Sequence, residues 1–389
     1  MSITNDKAVR ELVKAIHDTP GRVMLVTAGA GTRALAWILG VAGASRTLLE
    51  ALTPYDESSF DDFLGRRPAK YVVASTAGLL AGRAVVRARH LYRGEEPVIG
   101  LACSATIVTD RPKRGQHRAH IAVWTAGTVD RYALYMHKGE RDRRGEEEMV
   151  SLVIMNALSR AYNIGIELPL PLLEEDRYSR VCNDISGETQ KVLDGESDFF
   201  GIRADGRLFG RRSAPKAILS GAFNPLHEGH LGLASTATEI LGCDVTFELA
   251  ALNAGKPSLS IDHIKERLLQ FAGRSTVLVS NTALFAAKAR LYPGATFVVG
   301  VDTAQRVLQP RYYDDSLDTM FAAIDTIKER GCGFLVAGRV DERGDYMPAA
   351  ALEIPDLYSD LFTAIPGDRF RIDLSSTALR DQGAIGSTN

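Results

Sequence analysis

Apolar residues recur along this chain in two spacings, short continuous runs and longer stretches with a period of three to four, and the two alternate. Val9, Leu12, Val13 and Ile16 stand at helical spacing over 9–17. Residues 22–27 form a short apolar run, and helical spacing resumes over 32–39. The same reading predicts a helix over 76–92, strands over 97–102 and 120–125, and a long helix over 146–162. From 216 onward the alternation is regular. Strands are expected over 216–220, 244–250, 276–279, 295–299 and 333–337, with helices over 229–241, 261–271, 283–291 and 318–330 between them. Serial β-α units imply parallel strands joined by right-handed crossovers, so this half should be a Rossmann-like sheet whose ligands lie beyond the carboxyl ends of the strands. The alternation in the first half implies an α/β layer fold as well. Periodicity alone leaves its function open.

Between the halves the apolar pattern thins. Residues 166–213 hold Pro169, Pro171, an acidic run at 174–176, turn pairs at Asp194-Gly195 and Asp205-Gly206, and Arg211-Arg212. They read as a surface connector with a small hairpin across 202–208. The expected division is therefore an α/β domain over 1–165, a connector over 166–213 and a second α/β domain over 214–389. A chain of 389 residues exceeds what one core usually holds, which fits two or three domains.

Composition narrows the setting more than the chemistry. With 45% hydrophobic and 24% charged residues the chain looks soluble and globular. A net charge of -2 gives no general reason to expect nucleic acid or an anionic membrane as partner. Cys103, Cys182, Cys243 and Cys332 are far apart and suggest neither a zinc cage nor a disulfide framework, so no metal ligands are assigned. No run of about eighteen apolar residues occurs. The first residues include Asp6, Lys7, Arg10 and Glu11 where a signal peptide would be apolar. A cytoplasmic location with small-molecule partners is the expectation.

Candidate chemistry starts at residues 221–230, which read Gly-Ala-Phe-Asn-Pro-Leu-His-Glu-Gly-His between a predicted strand and a predicted helix. Two histidines three apart at a helix N-terminus suit phosphate, because the first-turn N–H groups and the helix dipole point outward and imidazoles add donors. The decapeptide resembles the H-x-G-H signature of the nucleotidyltransferase superfamily. Near the C-terminus, Ser375, Ser376, Thr377 and Arg380 fall in a stretch similar to that family's S-x-T-x-x-R element, and Gly300-Val301-Asp302 ends a predicted strand. That last element resembles the nicotinamide or nicotinate mononucleotide adenylyltransferases.

This resemblance implies in-line transfer of AMP from ATP to an acceptor phosphate, with Mg²⁺ accompanying the nucleotide. His227, His230 and Arg380 would act on the reacting phosphates. Ser375, Ser376 and Thr377 would hold the β- and γ-phosphates. Gly221 and Ala222 would let the backbone approach the ligand, Asn224 would fix the turn or bind phosphate, and Phe223 would line the adenine or acceptor side. Gly300 and Asp302 would contact the ribose side, and Lys256 would be a phosphate-binding or a solvated lysine. Tyr312 or Tyr313 would stack on a base or merely pack. Another phosphorylated acceptor, CTP as donor, or a nucleotide-sensing scaffold without turnover remain as alternatives.

The first half resembles the nicotinamide mononucleotide deamidase family, also known as the C-terminal domain of competence-damage-inducible protein A. The family's T-A-E-S-C-T-G-G turn falls on residues 27–34, where Thr27, Ala28 and Thr32 match. The serine expected as nucleophile falls on Ala30, and a methyl group cannot support covalent catalysis. Cys103 and Ser104 could in principle substitute, but no base is identifiable beside them, and Tyr55 and Thr106 are candidate pocket residues. This half therefore reads as a deamidase-like domain that has lost hydrolysis, with a binding or regulatory role or an oligomer interface. The basic stretch 109–118 reads as an anion clamp or, more commonly for a charge run, a solvated loop.

Overall fold

The computed structural model describes residues 6–111, 114–251, 259–340 and 346–371. Contacts divide the chain into two units. One comprises 1–187 with the short segments 202–208 and 268–275, and the other comprises the remainder.

The first unit runs α1 (Asp6–Asp18), β1 (Arg22–Ala28), α2 (Thr32–Leu39), β2 (Leu48–Leu52), α3 (Glu57–Leu64), α4 (Ala74–Leu91), β3 (Val98–Thr106), β4 (His117–Trp124), β5 (Thr128–Met136), α5 (Arg143–Ala161) and β6 (Arg177–Asp184). Its sheet has the order β2-β1-β3-β4-β5-β6. β1 pairs parallel with β2 and β3, whereas β3 to β6 form an antiparallel meander. The change follows the connections: α2, β2, α3 and α4 intervene between β1 and β3, while β4 and β5 are joined by a tight turn in which Thr125 Oγ1 accepts from the N–H groups of Gly127 and Thr128.

Every residue from Met149 to Leu158 of α5 is buried, as expected of a helix apolar on all sides and enclosed between layers. α4 is built mostly of small residues and seats closely on β3. A Cβ added at Gly100 would lie 2.2 Å from the Val85 nitrogen and 2.4 Å from the Ala81 oxygen, so only glycine fits there.

The second unit begins within α6 (Ile185–Leu193) and continues through β7 (Phe199–Ile202), β8 (Leu208–Phe209), β9 (Ala217–Ser220), α7 (Glu228–Leu241), β10 (Val245–Ala250), α8 (Ile261–Leu269), β11 (Val277–Ser280), α9 (Phe285–Leu291), β12 (Thr296–Gly300), α10 (Val301–Val307), α11 (Leu317–Glu329), β13 (Gly333–Ala337), β14 (Arg339–Val340), β15 (Tyr346–Met347) and β16 (Phe362–Ala364). Its large sheet is ordered β16-β13-β12-β9-β10-β11-β7-β8. The six strands from β9 to β16 in that sheet are all parallel. Counted from β9 they stand in the order 3-2-1-4-5-6, the doubly wound arrangement, and the direction of winding reverses between β9 and β12. The Rossmann-like expectation holds, and both units are α/β.

Three sequence readings change. The supposed connector carries β6 and α6, and its hairpin is present as β7 and β8, with the Arg203 N–H donating to the Arg207 carbonyl at 2.9 Å. β6 exists because its main chain pairs with β5; most of its side chains are exposed, so it leaves little apolar period to read. β2, α3 and β5 were likewise not anticipated. Finally, the expected strand end at Gly300 to Asp302 is a strand-to-helix junction, with Gly300 capping α10 and Asp302 in its first turn. Among the described residues no helix is long and apolar enough to cross a membrane.

Candidate functional site

The reversal point of the second sheet is where a doubly wound fold opens a crevice, because the crossovers on either side leave in opposite directions. The turn after β9 fills one wall. Gly221 donates its N–H to the Glu248 carbonyl at 3.0 Å, and a Cβ there would come within 2.7 Å of the Phe223 ring. The Ala222 carbonyl accepts from Arg267 Nη1 at 3.1 Å, which ties the turn to α8. Phe223 adopts φ 46, a left-handed conformation rare for a bulky residue. It is buried, with its ring edge-on to His230 at 5.1 Å and to Phe247 at 5.4 Å. This aromatic anchor offsets the backbone strain and orients His230. Phe223 is 1% exposed. Asn224 is exposed on the same turn.

His227 caps α7, and His230 lies one turn later. Their rings stack with centroids 3.8 Å apart. The His227 N–H donates to His230 Nδ1 at 3.3 Å, so the ring proton of His230 resides on Nε2. Burial, then the neighbouring His227, then Arg339 push the His230 pKa down to about 4, and burial with Arg339 lowers that of His227. His230 is thus a neutral donor of fixed tautomer near pH 7.

The opposite wall comes from the residues that follow β12 and β13, at the start of α10 and in β14. Asp302 Oδ2 accepts from Arg339 Nη1 at 2.9 Å, and both side chains are partly exposed. Arg339 also acts electrostatically on both histidines, so the H-x-G-H turn and the Gly-x-Asp junction meet around one guanidinium. Nothing in the sequence marked Arg339. Tyr313 packs, its hydroxyl donating to the Val307 carbonyl at 3.1 Å, while Tyr312 is exposed. Lys256, Ser375, Ser376, Thr377 and Arg380 lie outside the described residues.

Behind the turn sits a buried polar cluster that sequence reading also missed. Lys288 Nζ donates to Glu248 Oε2 at 2.5 Å and to Ser220 Oγ at 3.0 Å, and Ser280 Oγ donates to Glu248 Oε1 at 2.7 Å. Ser220 Oγ also bonds Glu248 Oε2. The lysine and glutamate side chains are 3% and 0% exposed. The cluster joins the carboxyl ends of β9, β10 and β11 directly beneath Gly221. A lone glutamate inside the apolar run 245–250 was the available signal.

In the first unit, the turn that resembles the deamidase motif is closed from within. Ala30 is buried at the expected nucleophile position. The Gly31 N–H donates to both Glu147 oxygens at 3.0 and 3.1 Å, and Thr32 Oγ1 and the Arg33 N–H donate to Oε1 at 3.0 and 3.1 Å. A carboxylate from α5 therefore takes the donors at the N-terminus of α2, where an anionic intermediate would need them. The alternative nucleophiles are quiet too. Burial pushes the Cys103 thiol well above its usual range, with Glu147 adding to the effect, and Ser104 Oγ donates to the Tyr71 carbonyl at 2.6 Å. Tyr55 is 70% exposed. Residues of the basic stretch do form part of a pocket: Arg114, Gln116 and Arg118 line it together with Lys70, Tyr71 and Thr106.

No protein-family model and no curated protein matches the chain. Solved structures do match, over the N-terminal part. A competence/damage-inducible protein, CihA, from Agrobacterium tumefaciens is similar at 17% identity and TM-score 0.30, covering 42% of this chain and 99% of that one. A competence-damaged protein (CinA) superfamily protein from Enterobacter cloacae is similar at 13% identity and TM-score 0.32, covering 42% and 94%. A competence or damage-inducible protein from Enterobacter asburiae is similar at 13% identity and TM-score 0.32, covering 41% and 99%.

Proposed function

We propose that the second unit is a nucleotidyltransferase that joins AMP from ATP to nicotinamide or nicotinate mononucleotide and releases pyrophosphate, and that the first unit is a deamidase-like domain without hydrolytic activity. The observation that carries this reading is the stacked His227–His230 pair at the N-terminus of α7, at the reversal point of a 3-2-1-4-5-6 sheet. The reaction needs no covalent enzyme intermediate. An oxygen of the acceptor phosphate bonds to the α-phosphorus of ATP, the bond to the bridging oxygen breaks, and pyrophosphate leaves with both electrons of that bond. Catalysis then rests on positioning and on offsetting charge.

The residues of the crevice suit that task. His230 offers Nε2–H to a phosphoryl oxygen, and His227 lies against it within the same turn. Arg339 is held by Asp302 in a partly exposed pair, so a polyphosphate can draw the guanidinium away and receive it bidentately, while the freed Asp302 carboxylate faces the ribose hydroxyls. Mg²⁺ bound through the substrate phosphates and water would offset their charge, and such an ion needs few protein ligands. By their sequence resemblance, Ser375, Ser376, Thr377 and Arg380 would complete the β- and γ-phosphate side and Lys256 would approach from its loop. The choice of a pyridine mononucleotide rests on the resemblance of the Gly300 to Asp302 element and on the company of a deamidase-like first unit.

The test is pyrophosphate release with ATP, Mg²⁺ and each mononucleotide in turn. The expected result is acceptor-dependent release that falls about a hundredfold or more in His230→Ala. Folded protein that releases nothing with either acceptor would remove this assignment, and release with CTP or another phosphorylated acceptor would replace it.

A further inference from the structure

The pocket of the first unit, about 550 Å³ in volume, lies at the carboxyl end of β3 and the start of β4. Its size is that of a small-ligand site. Three cationic side chains, Lys70, Arg114 and Arg118, line it with Tyr71, Thr106 and Gln116, and among the described residues no carboxylate lines it. Cross-strand register sets Arg118 directly opposite Thr106 on one face of the sheet. Arg118 Nε donates to the Val72 carbonyl at 3.1 Å, which fixes the guanidinium at the pocket and keeps residues 70–72 against β4, leaving the rest of its fork for other acceptors. Two residues along the same face, His120 is 4% exposed and its Nδ1 has no partner among the described residues.

Gathering three cations at one concavity costs free energy through like-charge repulsion unless an anion joins them. The anion-binding turn of the same unit does not supply one. Residues 29–33 are not in the pocket lining, and their donors are already taken by Glu147. The turn is therefore filled by the chain itself, and the pocket is a separate concavity.

We propose that the pocket formed by Lys70, Arg114 and Arg118 binds the phosphate group of a small ligand, as a phosphate dianion or pyrophosphate, without converting it. Arginine provides the paired donors that match phosphate oxygens, and lysine adds a mobile charge at the rim. The site is independent of the histidine crevice of the second unit.

Isothermal titration calorimetry of the full chain, without Mg²⁺ or nucleotide, tests this with inorganic phosphate and pyrophosphate as probes. Lys70 and Arg114 are exposed, so the double variant Lys70→Ala/Arg114→Ala should fold as the parent does, which circular dichroism verifies. With His230→Ala as the parent, so that the histidine crevice is disabled, pyrophosphate is expected to bind, and to bind at least about tenfold more weakly when Lys70→Ala/Arg114→Ala is added. Phosphate binding as tightly as pyrophosphate would identify a single dianion as the recognised group. Unchanged affinity and stoichiometry when the two substitutions are added, or no binding to the parent at millimolar concentration, would each overturn the proposal.

Discussion

The buried Glu248–Lys288 pair offers the sharpest test of how the second unit is held together. Replacing Lys288 with methionine keeps most of the volume and removes the ammonium, so Glu248 retains its serine donors and loses its countercharge. At 2.5 Å and an effective dielectric of about 20, the gross attraction is about 6–7 kcal/mol. Relief of the lysine's own burial penalty offsets part of that. Broken buried pairs lose about 3–5 kcal/mol, and that is the expected cost here. For a unit of this size it lowers the melting temperature by roughly 6–20 °C. The assay has an internal control, because both tryptophans, Trp37 and Trp124, belong to the first unit. Far-ultraviolet circular dichroism follows both units, whereas tryptophan fluorescence follows the first alone. The substitution should move the dichroism component that fluorescence does not track. Glu248→Gln/Lys288→Met keeps an acceptor for the serines and should recover most of the loss. A single-variant cost below about 1 kcal/mol, or a double variant no better than the single, would refute the reasoning.

Acid should destabilise the chain through its buried histidines. His120 and His230 both drop from 6.5 to about 4 in the folded chain, through burial above all. The unfolded chain therefore binds protons that the folded one refuses. The stability this represents is complete above pH 6.5 and is lost as pH falls toward 4, on the order of 2–3 kcal/mol for the nearly inaccessible His120. His120→Phe should flatten the acid dependence of the fluorescence-detected transition, and an unaltered slope would contradict the assignment. Glu147→Gln keeps the shape but weakens the charge-assisted bonds to the α2 turn, and should lower first-unit stability by about 1–2 kcal/mol in denaturant titration; no change would mean the contact is incidental. Gly29→Ala should be worse, since its Cβ would lie 2.0 Å from the Ala105 oxygen at φ 89, and a first-unit melting point equal to the parent's would show that the turn can move aside.

Legibility in the sequence tracked distance along the chain. The histidine turn was readable because strand, turn and helix cap are contiguous, and β9 to β13 announced themselves as short apolar runs between helices. β6 was hidden because its identity resides in main-chain pairing with β5, not in side-chain burial. α10 was hidden because its two defining residues looked like the end of a strand. The partners that complete the sites lie far off in sequence: Asp302 and Arg339 are 37 residues apart, Glu248 and Lys288 are 40 apart, and Gly31 and Glu147 are 116 apart. No local spacing rule couples such pairs. Phe223 shows the complementary limit: its motif position reads as ligand-lining, and the packing of its ring against His230 and Phe247 emerges only in the fold.

Under the proposed reading of the first unit as a deamidase-like domain without hydrolysis, the carboxylate seated in the α2 turn also bears on history. A chain that had lost only its nucleophile would stand one substitution from regaining it, and selection could restore serine at position 30 in a single step. Here that serine would arrive beside a negative charge already bound by the donors that an oxyanion requires. Reversion would yield no activity until Glu147 changed as well, and Glu147→Gln alone would loosen the fold. Two steps, the first without benefit in either order, separate this turn from hydrolysis. Such an arrangement works as a ratchet, leaving the surrounding surface free to acquire other uses.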